Sequence, residues 1–322
     1  MPRDAAIADT SWTKQIPKEK RLDCVRLAGE VFYQAECKLV ELERVGVPRG
    51  SVRVAAFLPR IAGSELDRGC RRYASFMRKK FCEHGLDFRV EEALSADALE
   101  LLVIGAQANH KIHGTFIFFP APFDKTEDYF LRRILPEKDI EGLTVENTGR
   151  MALNIRSFDE EAKYEGVVPC TARAILTLLH QNQSIKKMFP TDPEQKGPSV
   201  VIFNSSPRIG LPLQGMLLRM GATVTICHVQ TRPEDKEHYL RTADIVVTAF
   251  PAASEEDLIR DVKEGAVVVD CSTDGNLHPA VAERAAYIST HDNHMGQVTT
   301  ALALYNTALC ALWQSSLAGS RR

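Results

Sequence analysis

The sequence has no long apolar run, no excess of charge of one sign and no basic stretch interleaved with aromatic residues. Lys and Arg together number 40, against 42 Asp and Glu, in a chain of 322 residues. This balance does not predict a surface that holds a polyanion, so nucleic acid is not an expected partner. No apolar segment approaches the roughly 20 residues that cross a bilayer, and we expect no membrane partner.

Paired cysteine motifs are also missing. The eight cysteines are scattered without a C-x-x-C pair, and we predict reduced thiols in a cytoplasmic compartment. Cys170 has no neighbouring basic residue to activate it, so a buried thiol is predicted rather than a nucleophile. His291, Asp292 and His294 lack a fourth ligand, and we predict solvated loop histidines and no metal site.

The chain begins with MPRDAAIADTSWTK, which carries acidic residues early. It lacks the apolar core of a secretory signal and does not resemble a transit peptide. A short disordered tail is therefore predicted here.

Helical and extended patterns alternate through the first half of the chain. Apolar residues at three- and four-residue spacing indicate helices, and short β-branched runs bounded by Gly or Pro indicate buried strands. The predicted elements are helices over 21–43, 64–84 and 95–109 and strands over 52–59, 86–91 and 114–120. Strands separated by helices imply parallel pairing, so we predict an α/β domain over residues 1–168.

A second alternating series follows. Thr171 is predicted to cap a helix, and about four or five strands with intervening helices lie between 199 and 290. This pattern predicts a doubly wound, Rossmann-type domain over residues 169–298. The last helix, over 299–315, is apolar over much of its surface, so the segment 299–322 should pack on another element.

The segment NSSPRIGLP connects the strand SVVIF to a helix. A dinucleotide needs backbone N–H groups at a helix N-terminus and small residues that let the backbone approach its pyrophosphate. Ser205, Ser206 and Gly210 meet this need, although the G-x-G-x-x-G pattern is absent. From the pattern alone, a plain β-α turn is an equally good interpretation.

Several blocks of the sequence resemble those of the methylenetetrahydrofolate dehydrogenase/cyclohydrolase family, in the same order and at similar spacing. VIFNSSPRIGLPLQGML is similar to the family's G-R-S-x-I-V-G-x-P loop, and PEKDIEGL is similar to its P-x-K-D-V-D-G-F/L segment. The other blocks that resemble family segments are HGTFIFFPAP, VPCTARAI, TVTICHVQT, GAVVVDCSTDGN and MGQVTTALALYNT. The resemblance extends from Tyr73 to Thr307.

The resemblance implies a first domain that binds the folate, a second that binds the dinucleotide, and a last helix that returns to the first domain. The implied reaction is oxidation of 5,10-methylenetetrahydrofolate by hydride transfer to a nicotinamide cofactor. Bifunctional members then hydrolyse the methenyl product. We therefore expect a cytoplasmic oxidoreductase of one-carbon metabolism, with a tetrahydrofolate derivative as partner and a homodimer as assembly.

The resemblance also implies site residues. Tyr73 matches the family tyrosine that lies along the substrate, and Asp139 matches an aspartate that hydrogen-bonds the pterin. Without the resemblance, Tyr73 is a packing aromatic and Asp139 a turn residue before Gly142, and both alternatives stay open. The further implied substrate contacts are Met77, Phe118 and Pro120. The implied dinucleotide contacts are Asn204, Ser205, Ser206, Ile209, Gly210, His228, Ala249, Phe250, Pro251, Cys271, Gly296 and Thr299.

Two family residues that handle protons are replaced. The general acid/base lysine follows the tyrosine by four residues, where this chain has Met77. Phe118 stands in place of the glutamine that contacts this lysine. At about 100° per residue, Lys79 points away from Tyr73, and Lys80 lies about two turns along the helix. Because an apolar pair cannot activate water, we predict dehydrogenase activity with cyclohydrolase activity lost, as in the monofunctional NAD-dependent branch of the family.

The prediction of NAD rather than NADP also depends on residues that differ from those of family members. Members that use NADP have an arginine at the position of Ser205 and a serine at that of Val229. Serine and valine give the 2′-phosphate no charge, so NAD is favoured over NADP. Arg208 is close enough in sequence to supply that charge, which leaves the alternative open.

The loop DNHMGQVT has Asn293 and His294 in place of two family glycines. Together with Met77 and Phe118, these replacements leave open a catalytically silent folate- or dinucleotide-binding homologue. A dehydrogenase that acts on another small substrate is a third alternative, against which PEKDIEGL argues.

Overall fold

The structure is a computed structural model that describes residues 10–60, 65–159, 161–250, 252 and 254–319. The described chain forms two compact units. One unit contains residues 10–28 and 171–298, and the other contains residues 29–170 and 299–319. Within the described ranges, no helix is both long enough and apolar enough to cross a membrane.

Helices and strands alternate along the chain. The α-helices are α1 (Cys24–Arg44), α2 (Glu65–Glu83), α3 (Ala96–Ala108), α4 (Glu127–Leu131), α5 (Val145–Ala152), α6 (Cys170–Gln181), α7 (Gln183–Lys186), α8 (Gly210–Arg219), α9 (Pro233–Thr242), α10 (Val281–Arg284) and α11 (Met295–Gly319). The strands are β1 (Arg53–Pro59), β2 (Asp87–Ala93), β3 (Gly114–Ile117), β4 (Ser199–Phe203), β5 (Thr223–Cys227), β6 (Ile245–Thr248), β7 (Val267–Asp270) and β8 (Tyr287–Ser289). The predicted α/β class is confirmed.

A three-stranded parallel sheet of order β2-β1-β3 lies in the unit that contains residues 29–170. In the middle strand β1, every residue after Arg53 is buried, as its continuous apolar run predicts. The Ser95 side chain caps α3 by accepting a hydrogen bond from the Ala98 N–H at 3.1 Å. Gly85, at φ 82°, follows α2 and lets the chain turn into β2.

β3 is shorter than the strand predicted over 114–120. Its pairing with β1 runs only from Gly114 to Ile117. The Phe119 N–H turns back to the Ile117 carbonyl at 2.9 Å, and Pro120 has no N–H to continue a ladder. Phe118 and Pro120 therefore lie in the loop that leaves the carboxyl end of β3.

A five-stranded parallel sheet of order β5-β4-β6-β7-β8 lies in the other unit. β4 comes first along the chain yet lies between β5 and β6, so the strand order reverses beside it. Buried residues from successive strands, including Val201, Val246, Val268 and Ile288, form its core. This arrangement confirms the predicted doubly wound domain.

The beginning of the described chain differs from the predicted disordered tail. Residues 10–15 and 18–20 form 3-10 turns, and Ile16 is buried in the core of the five-stranded sheet with Trp12 packed against it. The Leu22 N–H donates to the Ile288 carbonyl of β8 at 3.0 Å. Residues 10–23, which we call the N-terminal strap, therefore pack along the edge strand β8 of this sheet. The sequence analysis grouped them with the first domain instead.

Two helices begin earlier than expected. α6 starts at Cys170, so Thr171 lies inside the helix and does not cap it. α11 starts at Met295. Its Asn306 Nδ2 donates to the Ile140 carbonyl at 3.0 Å, and its Gln314 Nε2 donates to the His113 carbonyl at 2.7 Å. The last helix therefore packs in the unit that holds the three-stranded sheet.

Candidate functional site

Tyr73 lies half-buried on α2, and its hydroxyl is held by α11. The hydroxyl oxygen is 3.1 Å from Thr299 Oγ1, and the Thr300 hydroxyl donates to it at 3.5 Å. Phe118 meets the tyrosine ring edge-on, with centroids 5.9 Å apart. Burial raises the pKa of Tyr73 and outweighs the opposite effect of the two threonine hydroxyls. The side chain is therefore a neutral phenol that can donate a hydrogen bond at neutral pH.

The positions that replace the family's proton-handling pair are both buried. Met77 is completely buried, and Phe118 is 3% exposed. The Phe118 ring also packs on Phe116, with centroids 4.8 Å apart. Pro120, two residues further along, is exposed. A thioether and a phenyl ring carry no titratable proton, so neither side chain can transfer a proton.

The two lysines that follow Met77 are engaged by Glu83. The Lys79 side chain is 72% exposed, and its Nζ lies 3.9 Å from the Glu83 carboxylate. Lys80 Nζ donates to Glu83 at 2.8 Å and lies 5.8 Å from the Phe32 ring centroid. Neither ammonium group therefore stands in for the missing lysine.

Asp139 is 1% exposed, and its carboxylate is used by its own loop. Oδ1 accepts from the Gly142 N–H at 2.9 Å. Oδ2 accepts from the Thr144 N–H at 2.7 Å and from Asn147 Nδ2 at 3.0 Å. A buried carboxylate with three donors has no face left for two further N–H groups of a ring. These contacts favour the turn-residue alternative for Asp139 over the expected pterin contact.

Glu141, two residues further along, is a candidate site carboxylate that the sequence analysis missed. It is half-buried, and its Oε2 accepts from the Ile117 N–H at the end of β3 at 3.4 Å. Its charge contributes to the raised pKa of Tyr73. The backbone around it is fixed, because the Glu141 carbonyl accepts from the Cys170 N–H at 3.1 Å. The signal lay in PEKDIEGL, where Glu141 replaces the second aspartate of the family segment.

Asn204 organises the loop between β4 and α8 in the other unit. Its Oδ1 accepts from the Ser206 N–H at 2.9 Å, the Ser206 hydroxyl at 2.8 Å and the Gly210 N–H at 3.0 Å. Its Nδ2 donates to the Ala249 carbonyl after β6 at 2.6 Å. Asn204 therefore joins the carboxyl ends of β4 and β6, which is the place where doubly wound sheets bind nucleotides.

The rest of this loop leads into the N-terminus of α8. Ser205 is exposed, and the Ile209 N–H donates to Ser206 Oγ at 3.2 Å. A Cβ at Gly210 would lie 1.8 Å from the Asn204 carbonyl oxygen, so the turn admits only glycine there. A close turn into a ten-residue helix offers backbone N–H groups to a pyrophosphate, and the residues present fit a dinucleotide.

Gly210→Ala is expected to weaken the affinity for NAD by about tenfold or more, because the added methyl group must displace Asn204 and the turn that it holds. Titration calorimetry measures this. Gly105→Ala is the matched control, since a Cβ at Gly105 on α3 meets nothing within 4 Å and affinity should not change. Unchanged affinity in Gly210→Ala would contradict the assignment of the loop.

Asn276 and Asp270 tie together the loops that follow β6 and β7. Asn276 Oδ1 accepts from the Thr248 hydroxyl at 2.8 Å and from the Phe250 N–H at 3.1 Å, and its Nδ2 donates to the Phe250 carbonyl at 2.8 Å. Asp270 accepts from the Asn276 N–H at 2.8 Å. The backbone of Phe250, a predicted dinucleotide contact, is thus positioned by a side chain that the sequence analysis did not identify.

The other predicted residues at these strand ends are partly accessible. Ala249 and Cys271 are half-buried, and Pro251 lies outside the described residues. Burial raises the pKa of the Cys271 thiol well above its ordinary value, so the thiol is neutral. In the described part of the chain, no three His, Cys, Asp or Glu side chains are grouped to hold a metal ion.

His228 is exposed at the end of β5. Its Nδ1 accepts from the Gln230 N–H at 3.2 Å, so the ring proton of the neutral imidazole is on Nε2. Val229, next in the chain, is 93% exposed. This strand end therefore presents a hydrogen-bond donor that suits a ribose hydroxyl, beside an uncharged residue.

The segment DNHMGQVT is helical from Met295 onward. Gly296 is exposed there, whereas Thr299 is buried and lies against the Tyr73 hydroxyl. His294 has φ 61°, in the left-handed region that favours glycine, at a position where the resemblance implies glycine. The backbone turn of this segment is thus retained with a different residue.

Comparison with known proteins gives a consistent result. Residues 169–315 match the family model for the NAD(P)-binding domain of tetrahydrofolate dehydrogenase/cyclohydrolase. The bifunctional protein FolD of Xanthomonas axonopodis pv. citri is 32% identical over 297 residues, which cover 89% of this chain and 90% of that protein. Methylenetetrahydrofolate dehydrogenase [NAD(+)] of Schizosaccharomyces pombe is 28% identical over 84% of this chain and 92% of that protein.

A solved structure supports the fold. The bifunctional enzyme FolD from Campylobacter jejuni superposes with a TM-score of 0.75 and 25% identity. The alignment covers 91% of this chain and 98% of that structure.

Proposed function

The chain belongs to the tetrahydrofolate dehydrogenase/cyclohydrolase family, and from this premise we propose that it is an NAD-dependent methylenetetrahydrofolate dehydrogenase without cyclohydrolase activity. A hydride leaves the one-carbon bridge of 5,10-methylenetetrahydrofolate and passes to NAD, which leaves the methenyl cation as product. The observation that carries the proposal is the buried pair Met77 and Phe118, which takes the place of a proton-handling pair.

The two reactions place different demands on the site. Hydride transfer needs two reactants held in line in a dry environment. Hydrolysis also needs a group that activates water and takes up its proton. The apolar side chains of Met77 and Phe118 favour hydride transfer, and they offer no group that could take up a proton during hydrolysis. The neutral hydroxyl of Tyr73 can orient the substrate but does not act as a base near pH 7.

For the substrate contact we propose Glu141 in the role that the resemblance suggested for Asp139. Its carboxylate lies beside the end of β3 and acts electrostatically on Tyr73. A carboxylate can accept two N–H groups side by side, as the amino-pyrimidine edge of a pterin requires. Asp139 holds the loop that presents it.

For the cofactor we propose NAD. The Schizosaccharomyces pombe relative is named for NAD(+), and the exposed Ser205 gives a 2′-phosphate no charge. Asn204, Ser206 and Gly210 would hold the pyrophosphate at the N-terminus of α8. Ala249, Phe250 and Cys271 would lie along the carboxyl ends of β6 and β7. The homodimer and the cytoplasmic location stay predictions.

Ser205→Arg combined with Val229→Ser is expected to raise turnover with NADP relative to NAD by about tenfold, because a guanidinium can pair with the 2′-phosphate. The ratio of kcat/KM for the two cofactors measures this. Ser205→Gln, a long uncharged side chain, is the control and should leave the ratio unchanged. If the arginine variant keeps the wild-type ratio, Ser205 does not face the ribose.

The proposal is tested by incubating the protein with methylenetetrahydrofolate and either NAD or NADP while recording reduced cofactor and methenyl product by absorbance. Turnover with NAD supports it. Binding of both ligands without turnover would instead favour the catalytically silent homologue, for which Asn293 and His294 in the predicted cofactor loop are the specific observation.

A further inference from the structure

The N-terminal strap is attached to the edge of the five-stranded sheet by backbone and side-chain contacts. Arg21 forms a parallel bridge with Ile288, and the Leu22 N–H donates to the Ile288 carbonyl at 3.0 Å. Lys20 Nζ donates to the Ala282 carbonyl of α10 at 3.1 Å. The strap therefore runs alongside β8. Lys20 contacts α10, which is a different element from the loop that follows β8.

The strap also forms hydrogen bonds with the loop after β8, residues 290–294, at two points. The Thr13 hydroxyl donates to Asp292 Oδ2 at 2.7 Å. Asn293 Nδ2 donates to the Leu22 carbonyl of the strap and to Ser289 Oγ at 3.0 Å. Thr13 is 3% exposed, so the donor side of this hydrogen bond is buried, whereas its acceptor Asp292 is exposed.

Both oxygens of the Asp292 carboxylate accept hydrogen bonds. Its second oxygen, Oδ1, accepts from the Thr290 hydroxyl at 2.6 Å. Burial opposes ionisation of Asp292, but the hydroxyls of Thr290 and Thr13 outweigh this and lower its pKa. Asp292 is therefore a charged acceptor at neutral pH, and a charged acceptor makes the stronger hydrogen bond.

The loop lies at the edge of the sheet where ligands bind. It follows the carboxyl end of β8, on the same side as the loops after β4, β6 and β7. A Cβ built at Gly275, in the loop after β7, would lie 3.1 Å from His291 Nδ1. The loop 290–294 is thus packed against the segment that contains Cys271 and Asn276.

We propose that the N-terminal strap is a positioning element for dinucleotide binding, with Thr13 and Asn293 as the positioning residues that hold the loop 290–294 in place. The identity of the ligand depends on the proposed function. Family glycines at the positions of Asn293 and His294 would leave such a loop free to fold on binding. In this chain, contacts with the strap order the loop in advance, and binding then loses less conformational entropy.

The test compares four variants of the full chain. Thr13→Val keeps the shape of the side chain but removes the hydroxyl that reaches Asp292, while Thr13→Ser keeps the hydroxyl. Lys263→Met is the matched control, because it removes an exposed ion pair with Asp244 in the same unit and touches neither the strap nor the loop. The readouts are NAD affinity by titration calorimetry and hydrogen exchange of the peptide that contains residues 287–298.

Thr13→Val is expected to weaken NAD affinity about fivefold, the worth of one net hydrogen bond, and to speed exchange in the loop. Thr13→Ser and Lys263→Met should retain wild-type affinity. Asn293→Gly, which removes the hydrogen bond to the Leu22 carbonyl, should also weaken NAD affinity and speed exchange in the loop.

The proposal is overturned if Thr13→Val and Asn293→Gly both leave affinity and loop exchange unchanged. It is also overturned if Lys263→Met weakens affinity as much as Thr13→Val does, since the effect would then be general destabilisation. Failure of the proposed function is recorded separately, as a wild-type protein that binds NAD but does not reduce it.

Discussion

Asp139→Ala is expected to lower the free energy of unfolding by about 3–5 kcal/mol. The change leaves the buried N–H groups of Gly142 and Thr144 and the Asn147 amide without their acceptor. Each unsatisfied buried donor then carries the full free-energy cost of its removal from water. Solvent cannot replace the lost acceptor, because Asp139 is 1% exposed. Urea denaturation followed by circular dichroism measures the change.

Glu141→Ala is the matched variant and should behave in the opposite way. Its carboxylate is half-buried, whereas that of Asp139 is fully buried, so we expect a smaller change in stability, of about 1 kcal/mol. Activity with methylenetetrahydrofolate should fall at least about tenfold, mainly through KM. A stable Asp139→Ala protein with a raised KM for the folate would show instead that Asp139 is the ligand residue.

Met77→Lys combined with Phe118→Gln is expected to produce hydrolysis of methenyltetrahydrofolate, at a rate about 100-fold above the wild type. The pair restores a group that can transfer a proton and an amide that can hold it in place. Met77→Lys alone should be destabilised by several kcal/mol and give little hydrolysis, because Met77 is completely buried and the new ammonium has no added partner. The decay of methenyl absorbance measures the rate.

Met77→Leu is the control for this pair. It conserves volume in the buried position, so dehydrogenase activity should persist and no hydrolysis should appear. If the double variant folds, oxidises methylenetetrahydrofolate and still gives no hydrolysis, other replaced residues must account for the loss.

Much of the fold could be predicted from local signals. The buried strand β1, the Ser95 cap, the glycine after α2 and the five strands of the second sheet all have sequence patterns that depend on near neighbours. The strap could not be predicted in this way, because Ile16 and Leu22 show no periodicity. Leu22 is ordered by pairing with β8, more than 250 residues away in the chain, and Ile16 by burial in the core of the five-stranded sheet.

The site was predicted only in part for a similar reason. Tyr73, Phe118 and Thr299 come together in the structure, although the sequence analysis assigned Thr299 to the dinucleotide. The segment PEKDIEGL contains three carboxylates, and sequence spacing does not show which one its own backbone donors use. The three hydrogen bonds to Asp139 show that this carboxylate is used by its own loop, and they support the proposal of Glu141 as the ligand residue.

The central claim is that this chain oxidises methylenetetrahydrofolate and leaves the product unhydrolysed. The most direct measurement mixes the wild-type protein with methylenetetrahydrofolate and NAD, then follows NADH and methenyltetrahydrofolate at two wavelengths over time. The account predicts that both rise together and that the methenyl compound afterwards decays only at its rate in buffer. NADH that accumulates while the methenyl compound stays low would contradict it, because the protein would then hydrolyse its product despite Met77 and Phe118.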